Sequence, residues 1–156
     1  MLLSKYPVSD VRNDRIKSLP KNGEERSLAL LSAKITLPGK KEVIFSTVHF
    51  ALDAATRLIQ AEQTSAYLKR GLPTILTGDL NAEPDKKEIL KLKDQFSQTG
   101  SDEAHTYPVN SPVKTIDYVM VSKEHLQKVL NSEVLNNIDL SDHLPLVSKI
   151  KLVSKK

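Results

Sequence analysis

The run Pro73-Thr74-Ile75-Leu76-Thr77-Gly78-Asp79-Leu80-Asn81-Ala82-Glu83-Pro84 constrains this chain more than any other stretch. It begins apolar and β-branched, as a buried strand does, and breaks abruptly into Gly-Asp-Leu-Asn. A glycine at such a break lets backbone and side chains crowd closely. Asp79 and Asn81 stand two positions apart, so in extended chain their side chains point to the same side. One is an anionic acceptor, and the other both donates and accepts. A carboxylate beside an amide at the mouth of a strand can activate a water and hold the oxygen it attacks. The same two residues also favour an Asx turn at a strand end.

The flanking chain reads as alternating sheet and helix without repeats or an internal boundary. Met1 to Ser4 looks like the tail of a strand, and Val8 to Gly23 like a polar loop, with room for a short strand and with turns at Pro20 and Asn22-Gly23. Arg26 to Leu37 and Glu42 to Phe50 read as strands joined by a short turn at Pro38 to Lys41, which predicts antiparallel pairing. A helix follows, with Asp53 as its N-cap and Gly71 and Pro73 closing it; its apolar positions are Ala51, Ala54, Ala55, Leu58, Ala61 and Leu68. Asp85 and Glu88 predict a capping box for a second short helix with Ile89, Leu92 and Phe96 on one face. Ser97 to Ala104 reads as loop. Lys114 to Ser122, Val134 to Ile138 and Leu146 to Val153 read as strands.

Composition narrows the class. A chain of 156 residues is long enough to bury a core as one domain over 1–156, and 27% charged with 39% hydrophobic residues is an ordinary globular balance. The net charge is +4, but the lysines come in pairs such as Lys40-Lys41, Lys86-Lys87 and Lys155-Lys156 rather than as a basic arm. With 4% aromatic residues and no Trp, there is no platform for stacking single-stranded bases. The absence of Cys excludes disulfides, thiol catalysis and thiolate metal sites. No run is apolar enough to span a membrane, and no signal peptide is visible.

Polar residues interrupt the strand ends repeatedly. His49 follows Val43 to Val48, Asp117 sits inside Ile116 to Val121, and Asp142-His143 precedes the last strand. A lone histidine beside apolar residues is commonly structural, and Ser-Asp-His-Leu-Pro is also good turn sequence. Asp117 is harder to place as bland, because a carboxylate among apolar residues must be paired if buried. An aspartate that orients an imidazole is one such pairing. Two histidines, three aspartates and one asparagine suit metal-assisted attack of water on phosphorus: a hard cation takes carboxylate oxygens, and in-line displacement needs a positioned nucleophile and charge stabilisers.

The order His49 … Gly78-Asp79-Leu80-Asn81 … Ile116-Asp117-Tyr118 … Ser141-Asp142-His143 resembles the endonuclease/exonuclease/phosphatase superfamily. Leu3-Ser4-Lys5-Tyr6-Pro7 resembles that family's mid-domain "LSRYP" strand, so the resemblance runs from Leu2 to the end. It implies a deoxyribonuclease I-like α+β sandwich with mixed, largely antiparallel sheets. It implies that Asp79 activates or positions the attacking water and that Asn81 helps hold water and phosphate. His143 would stabilise the phosphoryl transition state, Asp117 would orient it, and His49 would be the second active-site histidine. Asp142 would be a metal-site carboxylate for Mg²⁺ (or Mn²⁺). Glu25-Arg26 resembles the family's "E-x-R" strand start only weakly.

The chain departs from the family pattern in one respect. Family members are longer, and their N-terminal portion carries a strand asparagine and a metal-binding glutamate; Glu24 and Glu25 lack that glutamate's context. The expectation is therefore a C-terminal portion of the domain, with the N-terminal part missing. The implied function is metal-dependent hydrolysis of a phosphate ester, whether nucleic acid, phospholipid head group or small ester. The alternative is a catalytically incomplete remnant acting as a structural or interaction domain, which self-associates through an exposed sheet edge.

Overall fold

The computed structural model describes residues 1–21 and 24–153. The expected Asn22-Gly23 turn, the Lys155-Lys156 pair and the Glu25 side chain lie outside the described residues. Among them eight strands and two α-helices follow in the order β1 (Val8–Lys21), β2 (Glu24–Leu37), β3 (Lys41–Val48), α1 (Ala54–Tyr67), β4 (Thr74–Asp79), α2 (Lys87–Lys93), β5 (Phe96–Gln98), β6 (Asp117–Ser122), β7 (Leu126–Val134) and β8 (Leu146–Leu152), with a 3-10 turn at Pro38–Lys40 between β2 and β3. Six strands form one sheet in the order β1-β2-β3-β4-β6-β5, and β7 pairs with β8 in a second. Among the described residues only β3 and β4 run parallel, and every other pairing is antiparallel. The α+β class and the antiparallel β2–β3 pair are as the sequence predicts.

Helix α1 is the required crossover between the two parallel strands. Asp53 caps it, its carboxylate accepting from the Thr56 N–H at 2.8 Å. The buried face follows the expected apolar positions only in part: Ala61 and Leu68 are buried, but Ala54 and Ala55 are exposed, and Thr56, Gln60, Thr64 and Ser65 are buried with them. Two polar side chains of α1 satisfy backbone donors on the outer edge of β1. Gln63 Oε1 accepts from the Lys17 N–H at 2.8 Å, and Thr56 Oγ1 from the Leu19 N–H at 3.2 Å. The main cluster gathers Ile16, Leu30, Ile44, Leu76, Leu80, Ile89, Leu92, Phe96 and Met120, all essentially inaccessible to water.

Several local expectations fail for identifiable reasons. Val8 to Lys21 is a long strand rather than a loop. It is an edge strand with Ile16 as its one fully buried residue, so its polar positions face water and hide the β pattern. Met1 to Ser4 forms no strand. The strand expected at Val134 to Ile138 lies earlier, at Leu126–Val134, where two register shifts break the alternation that would have revealed it. Part of the expected loop at Ser97 to Ala104 belongs to β5.

The capping box does not form. The N-cap of α2 is Lys86, with no side-chain cap, and Asp85 pairs with Lys86 at 2.9 Å. Glu88 instead turns inward to the Arg57 guanidinium at 2.5 Å, where both side chains are largely buried, and this pair ties α2 to α1. Removing one partner of a buried pair leaves an uncompensated charge. Glu88→Ala is therefore expected to cost on the order of 3 kcal/mol of stability. Urea denaturation should show this as a lower midpoint with an unchanged slope.

Candidate active site

The sheet topology brings the candidate residues to one edge. His49 directly follows β3 and Asp79 ends β4, and those strands are parallel. Strand β6 runs the other way, so its first residue, Asp117, falls directly across from Asp79 in the register. His143 lies on the β7–β8 connection, which is bonded to the segment before β6: the Leu144 N–H donates to Thr106 O at 2.8 Å, and the Val109 N–H to Asp142 O at 2.9 Å. Four segments distant in sequence thus converge at the carboxyl ends of β3 and β4.

Gly78 makes the approach of β3 and β4 possible. Its φ of 141° lies outside the range an L side chain readily adopts, and a Cβ there would overlap the Val48 carbonyl oxygen. Beyond it the Phe50 N–H donates to Asp79 O at 3.0 Å, continuing the strand pairing into the site. Asn81 then turns with φ 50°, a left-handed conformation that asparagine tolerates. Its N–H donates to Asp79 Oδ1 at 2.8 Å, an Asx-type bond, so the turn chemistry and the site chemistry use the same atoms. The Asn81 amide donates to Phe50 O at 2.9 Å and contacts His49 Nε2 at 3.1 Å.

His143 faces two carboxylates. Its Nδ1 is 2.7 Å from Asp117 Oδ2, and its Nε2 is 4.0 Å from Asp79 Oδ2, a gap one oxygen atom can bridge. His49 Nε2 stands 3.3 Å from the same Asp79 oxygen, on a side chain that is 72% exposed, so it forms the outer rim. Burial pulls the His143 imidazole towards the neutral form. The Asp117 hydrogen bond and the charges of Asp117, Asp79 and Asp142 outweigh it, and its pKa ends above the ordinary value. Asp79 is also raised: desolvation dominates, the Asn81 N–H opposes it, and the Asp117 charge adds to it. A raised aspartate is a better proton acceptor near neutrality than an ordinary one.

The geometry brings Asp79, Asn81, Asp117, His143 and His49 together. Asp142 is exposed, its charge acts on the adjacent His143, and its Oδ1 accepts from the Ser141 hydroxyl at 3.2 Å. Two residues of this site were not legible in the sequence. Thr106 is fully buried and donates to Asp117 Oδ2 at 2.6 Å, and the Tyr107 ring packs 4.8 Å from the His143 ring. Their only signal was a Thr-Tyr pair in an otherwise polar stretch. His125, despite its Lys and Glu neighbours in sequence, is 1% exposed and 3.0 Å from Ser122 Oγ. His105 is half-buried against Thr115 Oγ1 at 3.1 Å.

Among the described residues, the side chains spaced to hold a cation together are Asp79, Asp117 and His143, with ligand atoms within 4.8 Å of one another. The donor set fits a hard divalent ion thinly. Asp117 Oδ2 already accepts from His143 and Thr106, and Asp79 Oδ1 from Asn81. What remains are single carboxylate oxygens, which suit an ion that keeps most of its water.

Residues 1–143 match the endonuclease/exonuclease/phosphatase family, and the chain belongs to that family. Its members are phosphoesterase-type hydrolases, generally dependent on a divalent metal. Uncharacterized protein YbhP of Escherichia coli is 24% identical over 159 residues, covering 97% of this chain and 62% of YbhP. The chain therefore spans less than two thirds of that relative's length. The endonuclease/exonuclease/phosphatase from Bacteroides vulgatus superposes with a TM-score of 0.79 at 18% identity, over 96% of this chain and 67% of that one. The human Nocturnin catalytic domain, solved with a bound sulfate anion, gives 0.74 at 17% identity, over 95% and 60%. These likenesses show the deoxyribonuclease I-like fold. No helix among the described residues is long and apolar enough to cross a membrane.

Proposed function

We propose that residues 1–156 act as a single phosphoester hydrolase domain in which Asp79 activates water and His143 stabilises the phosphoryl group. The observation that carries this is the line Asp117–His143–Asp79, with 2.7 Å on one side of the imidazole and 4.0 Å on the other. Asp79 Oδ2 accepts the proton of a water whose oxygen attacks phosphorus in line, while the ester P–O bond opposite it breaks and its oxygen leaves as the alcohol, protonated from solvent. The Asn81 amide, fixed by Phe50 O, orients that water and the phosphate. Asp117 holds Nδ1–H of His143, so Nε2–H faces the equatorial phosphoryl oxygens and meets their charge without reorganising. His49 supports Asp79 from the rim. Asp79, with Asp117 and His143 in reach and Asp142 as a further carboxylate beside His143 in sequence, would hold a Mg²⁺ or Mn²⁺ ion, which would supply neutralisation of phosphate charge. Phosphodiesterase, nuclease and phosphatase chemistry all use these roles, with the substrate a nucleic acid, a phospholipid head group or a small ester.

Initial rates against bis(p-nitrophenyl) phosphate, with Mg²⁺ and with EDTA, test the reading. Turnover that is insensitive to EDTA, or none at any Mg²⁺ concentration, refutes it. The thin donor set predicts Mg²⁺ binding only at roughly millimolar concentration, because most of the ion's ligands must remain water. Calorimetry giving a micromolar Kd would mean that a further carboxylate completes the site.

One observation favours the second reading, a structural or interaction domain. Among the described residues β7 and β8 pair only with each other, which leaves two sheet edges available to another copy. Native mass in the assay buffer separates the readings: oligomers without turnover support the interaction domain, and turnover by monomers excludes it.

A further inference from the structure

A groove of about 890 Å³ opens from His49 and runs between the β1–β2 hairpin and the start of α1. We infer that it receives the apolar arm, an alkyl or acyl chain, of an amphiphilic phosphoester whose phosphate lies at Asp79 and His143. The inference rests on the hydrolase reading for the position of the phosphate.

The groove is continuous with the reacting groups, since His49 lines it and stands 3.3 Å from Asp79. Its walls are mainly apolar: Leu19 and Pro20 of β1, Leu28 of β2, and Phe50, Ala51 and Leu52 after β3. The two leucines at its mouth are left open to water, Leu52 at 83% and Leu19 at 43% exposure. Large apolar side chains held in water beside a reactive site mark a surface that another apolar group covers.

The walls are also preformed, as ligand sites usually are. The fully buried Gln60 accepts from the Ala51 N–H at 2.9 Å and donates to Ser18 Oγ at 3.0 Å, while Thr56 Oγ1 accepts from the Leu19 N–H at 3.2 Å. Side chains of α1 therefore clamp both sides of the groove.

Charge argues against other occupants. Arg26 is the one Lys or Arg among the lining residues described, and the one carboxylate, Asp53, is engaged in capping α1. A nucleic-acid strand would meet one cation among the described lining residues, Arg26. A sugar would find few free hydrogen-bonding partners, since the Ser18 hydroxyl already accepts from Gln60.

The test is calorimetry of the full chain with methyl-, butyl- and hexylphosphonate below their aggregation limits, ligands that bind without being cleaved. Affinity should rise roughly two- to fourfold per added methylene, the range expected when CH₂ groups leave water. Leu52→Ser and Leu19→Ser should flatten that rise and leave methylphosphonate affinity unchanged, with unaltered melting curves showing that the fold survives. No dependence on chain length, or the full dependence retained in both variants, overturns the inference. Turnover of bis(p-nitrophenyl) phosphate is measured on the same samples. Turnover with a flat length series refutes the groove alone, whereas a steep series without turnover supports the groove and refutes the hydrolase reading.

Discussion

Replacing His143 by alanine is expected to lower turnover of a chromogenic phosphodiester by on the order of a hundredfold or more, the usual cost of losing one preorganised donor. The imidazole is only partly buried and packs beside Tyr107 rather than in the core, so the loss is chemical and not a failure to fold. Asp117→Asn should do nearly as much damage. It preserves shape but withdraws the charge that holds Nδ1–H and raises the imidazole pKa. The sign follows directly. His143 must be protonated at Nε2 to donate, so activity falls as pH rises through its raised pKa, and Asp117→Asn moves that decline to lower pH. The same shift makes a stability contribution, complete below the unfolded-state pKa of His143 and lost as pH rises through the folded one. Rates across pH for the wild type and both variants, with circular dichroism as the folding check, are the measurement. An unchanged alkaline limb in Asp117→Asn would remove Asp117 from the role given to it.

Gly78→Ala should be the most damaging single substitution for folding. Two costs coincide at this position. The backbone φ of 141° strains any L residue, and the added methyl overlaps a backbone carbonyl, which cannot rotate away as a side chain could. Relief requires β3 and β4 to part where Val48 meets Gly78, beside the Phe50 N–H to Asp79 O bond. The expected loss exceeds roughly 4–5 kcal/mol, a range reached only by such mechanisms and comparable with the stability of many whole domains. Soluble yield and thermal unfolding report it. A well-folded Gly78→Ala protein would show that the two strands tolerate a wider gap than the structure implies.

Apolar runs and turn chemistry determined much of this protein locally. The strands β2, β3, β4, β6 and β8, the Asp53 cap and the Gly-Asp-Leu-Asn break were all legible because each is encoded within a few neighbouring residues. Asp117 stood out for the same kind of reason, a carboxylate embedded among apolar side chains. The edge strand β1 was not legible, since a strand with most of its side chains in water needs little apolar sequence. The inward turn of Glu88 was hidden as well, because its partner Arg57 lies on another helix.

The site itself required tertiary structure. Nothing local to residues 105–108 reports that Thr106 will donate to a carboxylate 11 residues later, or that Tyr107 will pack on a ring 36 residues away. His125 reads as solvated from its charged neighbours, yet it is buried, with the Ser122 hydroxyl 3.0 Å from its ring and its carbonyl accepting from the Val153 N–H at 2.9 Å. Sequence alone determined which residue types could hold water and phosphate. Their assembly depended on one parallel and one antiparallel pairing, which bring the end of β3, the end of β4 and the start of β6 to the same edge. Those pairings are sums of many long-range contacts, so no window of sequence contains them.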